Sequence, residues 1–124
     1  MSMKEKTIRF CEKEIIICEK TKIVCLPHSD ILFITTDCPY LVIMTTDNQK
    51  IYVKLSLSSL ARKLPLVFFQ CSQSVVVNLY FIKTYGIGTQ HILYLDAKRS
   101  FVVSRRRQKG LRERLLLFKK YYYE

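Results

Sequence analysis

A chain of 124 residues, 49% of them hydrophobic, has enough apolar sequence for one domain with its own core, which excludes a disordered chain. Gly and Pro number only three each, which excludes long flexible linkers, and no apolar run approaches the ~20 residues that a membrane-crossing helix needs. The formal net charge is +11, a balance that points to an anionic partner.

Short β-branched or apolar runs at 8–11 and 14–18 read as strands, and 22–26 continues the pattern as far as Pro27-His28-Ser29-Asp30. Runs at 31–36, 40–45 and 50–55 follow at short spacing, the last two joined by the turn residues Asp47-Asn48. Leu57, Leu60, Ala61 and Leu64 lie on one helical face, with Ser56 or Ser58 to cap the helix and Pro65 to stop it. Strands resume at 66–70, 74–78 and 80–85, and Gly86-Ile87-Gly88 reads as a turn or bulge. Runs 91–95 and 100–103 form a hairpin closed by Asp96-Ala97-Lys98-Arg99. A final helix is expected directly after Ser104, with Leu111, Leu115 and Phe118 on its buried face. The fold class is therefore mostly β, with layered antiparallel sheets, one short internal helix and a C-terminal helix.

The N-terminus, Met-Ser-Met-Lys-Glu-Lys, runs into charge rather than an apolar stretch, so no signal peptide is expected. Five cysteines without a CxxC pair fit reduced thiols in a cytoplasm. Cys11, Cys18 and Cys25 repeat every seven residues and read as small buried hydrophobes rather than metal ligands. No metal, cofactor or catalytic constellation is expected. His28 and His91 read as ordinary turn residues.

Charge is unevenly spread. Residues 98–120 hold ten Lys/Arg against one acid, which is +9 in 23 residues and leaves +2 for the other 101. The run reads as a nucleic-acid footprint, against the plainer reading of a solvated basic tail. Ser104-Arg105-Arg106-Arg107 is its centre. A helix N-terminus carries about half a positive charge and favours acids by ~0.3–1 kcal/mol each, so three arginines there oppose the dipole. Such a placement suits phosphate oxygens, or guanine O6 and N7 in a major groove. The competing reading is arginine stems that cover apolar surface.

Three blocks, in order, resemble the LytTR DNA-binding domain. They are Asp30-Ile31-Leu32-Phe33-Ile34 with Tyr40-Leu41-Val42; Phe68-Phe69-Gln70-Cys71-Ser72-Gln73-Ser74-Val75-Val76-Val77-Asn78; and the stretch 100–111 with Val103-Ser104-Arg105-Arg106. The resemblance implies layered antiparallel sheets whose edge loops enter successive major grooves of a direct-repeat site, in a bacterial transcription regulator. It divides the chain into an N-terminal extension (1–13, an added strand), a domain (14–118) and a tail (119–124). The tail's Tyr121-Tyr122-Tyr123 is expected to pack on the domain or fray.

The resemblance carries over three contact regions: the loop at 37–40, with Cys38, Pro39 and Tyr40; Gln73; and Arg106 or Arg105. Beside them Gln70, Ser72, Ser104, Arg107 and Lys109 are candidate DNA contacts, and Lys83 reads equally as a phosphate contact or a solvated strand-end lysine. Arg106, or Arg105 if the register slips, takes the groove-facing position. The sequence departs from the family pattern where Gln70, Ser72 and Gln73 replace cationic or imidazole donors. Gln73 remains able to read adenine, and the electrostatic share of binding moves to 98–120. No phosphoacceptor domain precedes the domain in this sequence, so control is expected from expression, a partner or a ligand. The expected partners are double-stranded DNA and, on it, a second copy or another regulator, without a membrane. A module that pairs with another regulator and has weakened DNA contacts is the alternative.

Overall fold

The computed structural model describes residues 7–119; the tyrosine run of the tail lies outside them. Three antiparallel sheets follow from the alternation of the sequence. The first has the order β1-β2-β3, with β1 at Thr7–Phe10, β2 at Glu14–Cys18 and β3 at Ile23–Pro27. Successive side chains of a strand point to opposite faces, so Ile15 and Ile17 are fully buried while Ile16, paired with Arg9 and Cys25, turns outward. The expectation of buried cysteines fails on this parity. Cys11 and Cys25 are exposed and Cys18 is half-buried.

The central sheet has the order β6-β5-β4-β8-β7. Its strands are β4 (Ile31–Asp37), β5 (Tyr40–Thr45), β6 (Lys50–Val53), β7 (Phe68–Ser72) and β8 (Val75–Asn78). Helix α1 (Leu57–Lys63) joins β6 to β7, and its first turn is capped by the Ser56 hydroxyl, which accepts the Ser59 N–H. Asn48, with φ 64°, makes the expected turn between β5 and β6. Residues 31–34 are all buried because β4 is covered on both faces. Ile31 and Ile34 pack with Ile15, Ile17, Leu60 and Val76 under the first sheet and α1. Leu32 and Phe33 pack with Cys71, Leu93 and Leu111 on the other side. A register irregularity between Ile31 and Phe33 accompanies this change of face.

Strand β8 ends at Asn78, a buried polar residue that donates to the carbonyls of Ile31 (2.9 Å) and His28 (3.3 Å) and accepts the Tyr80 N–H (3.1 Å). That last bond starts a 3-10 turn at Leu79–Phe81, so the strand expected at 80–85 begins only at Thr84. The third sheet then forms in the order β11-β10-β9, from β9 (Thr84–Ile87), β10 (His91–Tyr94) and β11 (Ser100–Val102). Gly86 is not in a turn: it lies in β9 opposite Ile92, where an added Cβ would meet the Tyr94 ring at 3.3 Å. The Asp96 carboxylate closes the β10–β11 hairpin by accepting the N–H groups of Lys98 (3.0 Å) and Arg99 (2.8 Å).

The C-terminal helix does not start after Ser104. Arg105–Arg107 form a single 3-10 turn, Gly110 takes φ +79°, and α2 runs over Leu111–Lys119. The left-handed Gly110 is a conformation a helix cannot carry through. Leu111 is fully buried and Leu115 and Phe118 pack against the same core, as the helical spacing predicts.

Candidate nucleic-acid interface

The antiparallel register brings four separate connections to one edge. Thr35 pairs with Val75, so the turn after β4 stands beside the turn between β7 and β8. The Thr36 N–H donates to the Ser74 carbonyl at 3.1 Å and ties the two turns together. Leu41 pairs with Val53, which sends Lys54-Leu55-Ser56 to the same edge. The fourth connection arrives from the third sheet, where the Ser104 N–H donates to the Cys71 carbonyl at 2.8 Å. Cys71 is free to accept it because the β7–β8 register shifts between Gln70 and Ser72.

An open cleft of about 640 Å³ lies between these connections. Cys38, Pro39, Tyr40, Gln70, Gln73, Arg106 and Arg107 line it, with Lys54, Leu55 and Ser58 on its other wall. Seven of the twelve residues expected at the site from sequence thus meet in one place. Ser72, Ser104, Arg105 and Lys109 do not line the cleft but belong to the same connections. Lys83 is apart from them: it follows the far end of β8, beyond the 3-10 turn at Leu79–Phe81. Lys54 was missed by the sequence reading. The signal for it was the β5–β6 hairpin, which returns residue 54 to the edge that Tyr40 leaves.

The side chains differ in what they have free. Gln73, Arg105 and Arg106 are exposed. Arg107 is half-buried and donates to the Ser104 hydroxyl at 3.1 Å. The Gln70 amide donates to the Ser72 carbonyl at 3.1 Å, so it is partly used in shaping its own hairpin. The Ser72 hydroxyl accepts the Ser74 N–H at 3.2 Å. The Cys38–Pro39 peptide bond is cis. Burial pushes the Cys71 thiol up to about 12, against a small opposing pull from Arg107, so it is a packed hydrophobe and not a thiolate. Lys54, Arg105, Arg106, Arg107 and Lys109 face a single acid, Asp37, within these connections.

The basic run of 98–120 is not one surface. Arg99 donates through Nη2 (2.7 Å) and Nε (3.0 Å) to one Asp96 carboxylate oxygen, Oδ2, and lies over the Phe33 ring. Arg114 donates to the carbonyls of Leu66 and Phe68, both at 2.8 Å, and stacks on Phe69. Lys119 donates to the Tyr80 carbonyl at 2.7 Å. Lys98 stands at the end of the β10–β11 hairpin away from Val103, whose N–H meets the His91 carbonyl. The helix-dipole argument for the arginines also lapses, since they precede α2 on a short turn whose Ser104 side chain caps nothing. Among the described residues, no group of three or more His, Cys, Asp or Glu side chains is placed to hold a metal ion.

The family model of the LytTr DNA-binding domain matches residues 21–116. Among solved structures, the LytTr DNA-binding domain of a putative methyl-accepting/DNA response regulator from Bacillus cereus superposes with a TM-score of 0.68 at 18% identity, covering 85% of this chain and 98% of that one. None of the curated proteins matches the chain. The matched stretch contains β3, every strand of the central and third sheets and every connection at the cleft, and the chain belongs to the LytTr DNA-binding domain family, the DNA-binding module of transcription regulators.

Proposed function

We propose that the protein binds specific double-stranded DNA through the edge that carries the cleft, with its turns in successive major grooves of a direct-repeat site. The observation that carries this reading is the convergence of Gln73, Arg106 and the turn at 38–40 on one cleft, beside the exposed Arg105. Exposed guanidinium and amide forks at the tips of turns suit the edges of guanine and adenine. Arg107, Lys109 and Lys54 supply phosphate contacts that hold the register. Cys38, Pro39, Tyr40, Ser72 and Ser104 shape the contact surface, and Gln70 braces the hairpin that carries Gln73. Lys83 takes no part in this surface.

Selection of bound sequences from a random duplex pool tests the proposal. Enrichment of a repeated half-site, with a repeat near one helical turn, is the expected result. The internal bond of Gln70 and the absence of any cation from residues 70–74 favour a second reading, in which the edge pairs with another regulator and the DNA contacts are weak. A pool without enrichment supports that reading.

A further inference from the structure

At the other end of α2 lies a second cleft, of about 650 Å³, that the DNA-facing edge does not use. Tyr80, Phe81 and Ile82 form one wall; Leu115 and Leu116 form the other; Lys83 and Lys119 stand at the rim. Two of its apolar residues, one on each wall, are open to solvent. Tyr80 is 58% exposed and Leu116 is 46% exposed, and Leu117, next on the helix, is 68% exposed. Isolated exposed hydrophobes need no explanation, but several about one concavity mark a contact surface.

The charge of the rim narrows the occupant. Both rim residues are lysines, and among the described residues no acid lines the cleft. Lys119 is spread over the Tyr80 ring and bonded to the Tyr80 carbonyl. Burial lowers the Lys119 pKa, and the nearby charge of Lys83 lowers it further. An apolar floor between two such cations fits a segment that carries apolar side chains flanked by carboxylates. Position adds a second constraint. The cleft sits beyond the far end of β8 and at the C-terminal end of α2, whereas the Gln73 turn precedes β8 and the arginine turn precedes α2. An occupant here leaves the DNA-facing edge free.

We propose that this cleft is a docking site for an acidic, hydrophobic peptide segment of a partner protein, bound independently of the edge that carries Arg105 and Arg106. Leu116 and Tyr80 hold the apolar anchor, and Lys83 and Lys119 pair with its carboxylates. Exposed charge pairs at the rim set specificity and on-rate more than affinity, so binding of a single short segment is expected to be weak, about micromolar.

The test is fluorescence anisotropy with a labelled 12-residue peptide that alternates Asp or Glu with Leu or Phe, against a control with Lys in place of each acid. The full chain should bind the acidic peptide and not the control. Lys83→Glu, at an exposed position whose side chain makes no hydrogen bond or ion pair among the described residues, should weaken binding tenfold or more, and Leu116→Ser should do the same with an unchanged circular dichroism spectrum. Arg105→Ser combined with Arg106→Ser should leave it within twofold. Loss in the double arginine variant with full binding in Lys83→Glu would show mere attraction to the basic turn and overturn the proposal. So would no binding at millimolar peptide, or a self-association in sedimentation that Leu116→Ser abolishes, since a second copy would then fill the cleft.

Discussion

The backbone N–H of Ser104 meets the carbonyl of Cys71 at 2.8 Å. This bond fixes where the arginine turn stands relative to the Gln73 hairpin, because it joins the end of the third sheet to the irregular step in β7. The Cys71 side chain is fully buried in the same place and its thiol lies 3.7 Å from the Val75 carbonyl. With its thiol pushed up to about 12 by burial, Cys71 should resist alkylation at neutral pH, while Cys11, Cys25 and Cys38, all exposed, react fast. Peptide mass mapping after a short iodoacetamide pulse reads this. Modification of Cys71 at the rate of Cys25 in the native protein would show that the bulge opens readily and does not hold the turn.

Arg114 separates charge that binds from charge that folds. Its guanidinium satisfies two backbone carbonyls at 2.8 Å and covers Phe69. Hydrogen bonds from charged groups contribute about 1.5–3 kcal/mol each, and this side chain is half-buried. Arg114→Ala should therefore lower unfolding free energy by about 2 kcal/mol in urea and leave DNA affinity per folded molecule unchanged. A variant of wild-type stability that binds DNA less well would put Arg114 on the interface instead.

The strands were legible from alternation and turn residues, since β2 and β5 begin and end where the apolar runs do. What was not legible depends on contacts distant in sequence. The run from Arg105 to Lys109 consists of good helix formers, yet the Ser104–Cys71 bond and the Gln108 amide on the Val103 carbonyl hold it as a short turn. Gly110, with φ +79°, is the local sign of the break. Residues 80–83 look like strand because Tyr, Phe and Ile favour strands, but the Asn78 side chain bonded to the Tyr80 N–H turns the chain there. The site was readable as three motifs. Their meeting depended on register, and so did the entry of Lys54. The basic run misled because composition does not show which cations are already bonded to carbonyls.

His28 predicts a pH dependence of stability. Its Nε2 is buried and has no hydrogen-bond partner among the described residues, and the ring stands edge-on to Phe68. Burial lowers its pKa below 6.5, while Glu14 pulls in the opposite sense less strongly. A lowered native pKa means that the unfolded chain binds the proton first, so the stability that neutral His28 contributes is complete above 6.5 and falls as pH drops through that value towards the native pKa. Urea midpoints at pH 7.5 and 5.5 should differ more for the wild type than for His28→Leu. Equal differences in the two proteins would assign the acid sensitivity to carboxylates elsewhere.

The arginine turn gives the sharpest test of the proposed interface. Arg106 is exposed and lines the cleft with Gln73, while Arg107 is half-buried and braced on Ser104. An unbraced guanidinium at the tip is free to fork onto guanine, worth ~1–3 kcal/mol of discrimination. A braced one beside the backbone is placed for phosphate. Arg106→Ala should therefore reduce the ratio of cognate to scrambled affinity by that amount, and Gln73→Ala should do the same at a different base position. Arg107→Ala should weaken both duplexes alike and make the slope of log K against log salt shallower by about 0.9. The cations counted at this edge, five with Lys54 included, bring the wild-type slope to between about −3 and −5. That is shallower than the whole basic run would give, because Arg99 and Arg114 are engaged within the fold and Lys119 stands at the far end of α2. Melting temperatures should stay near wild type for Arg106→Ala, whose side chain makes no bond to the rest of the protein among the described residues. If Arg106→Ala binds the cognate duplex as wild type does and melts markedly lower, the turn is part of the scaffold and the reading head lies elsewhere.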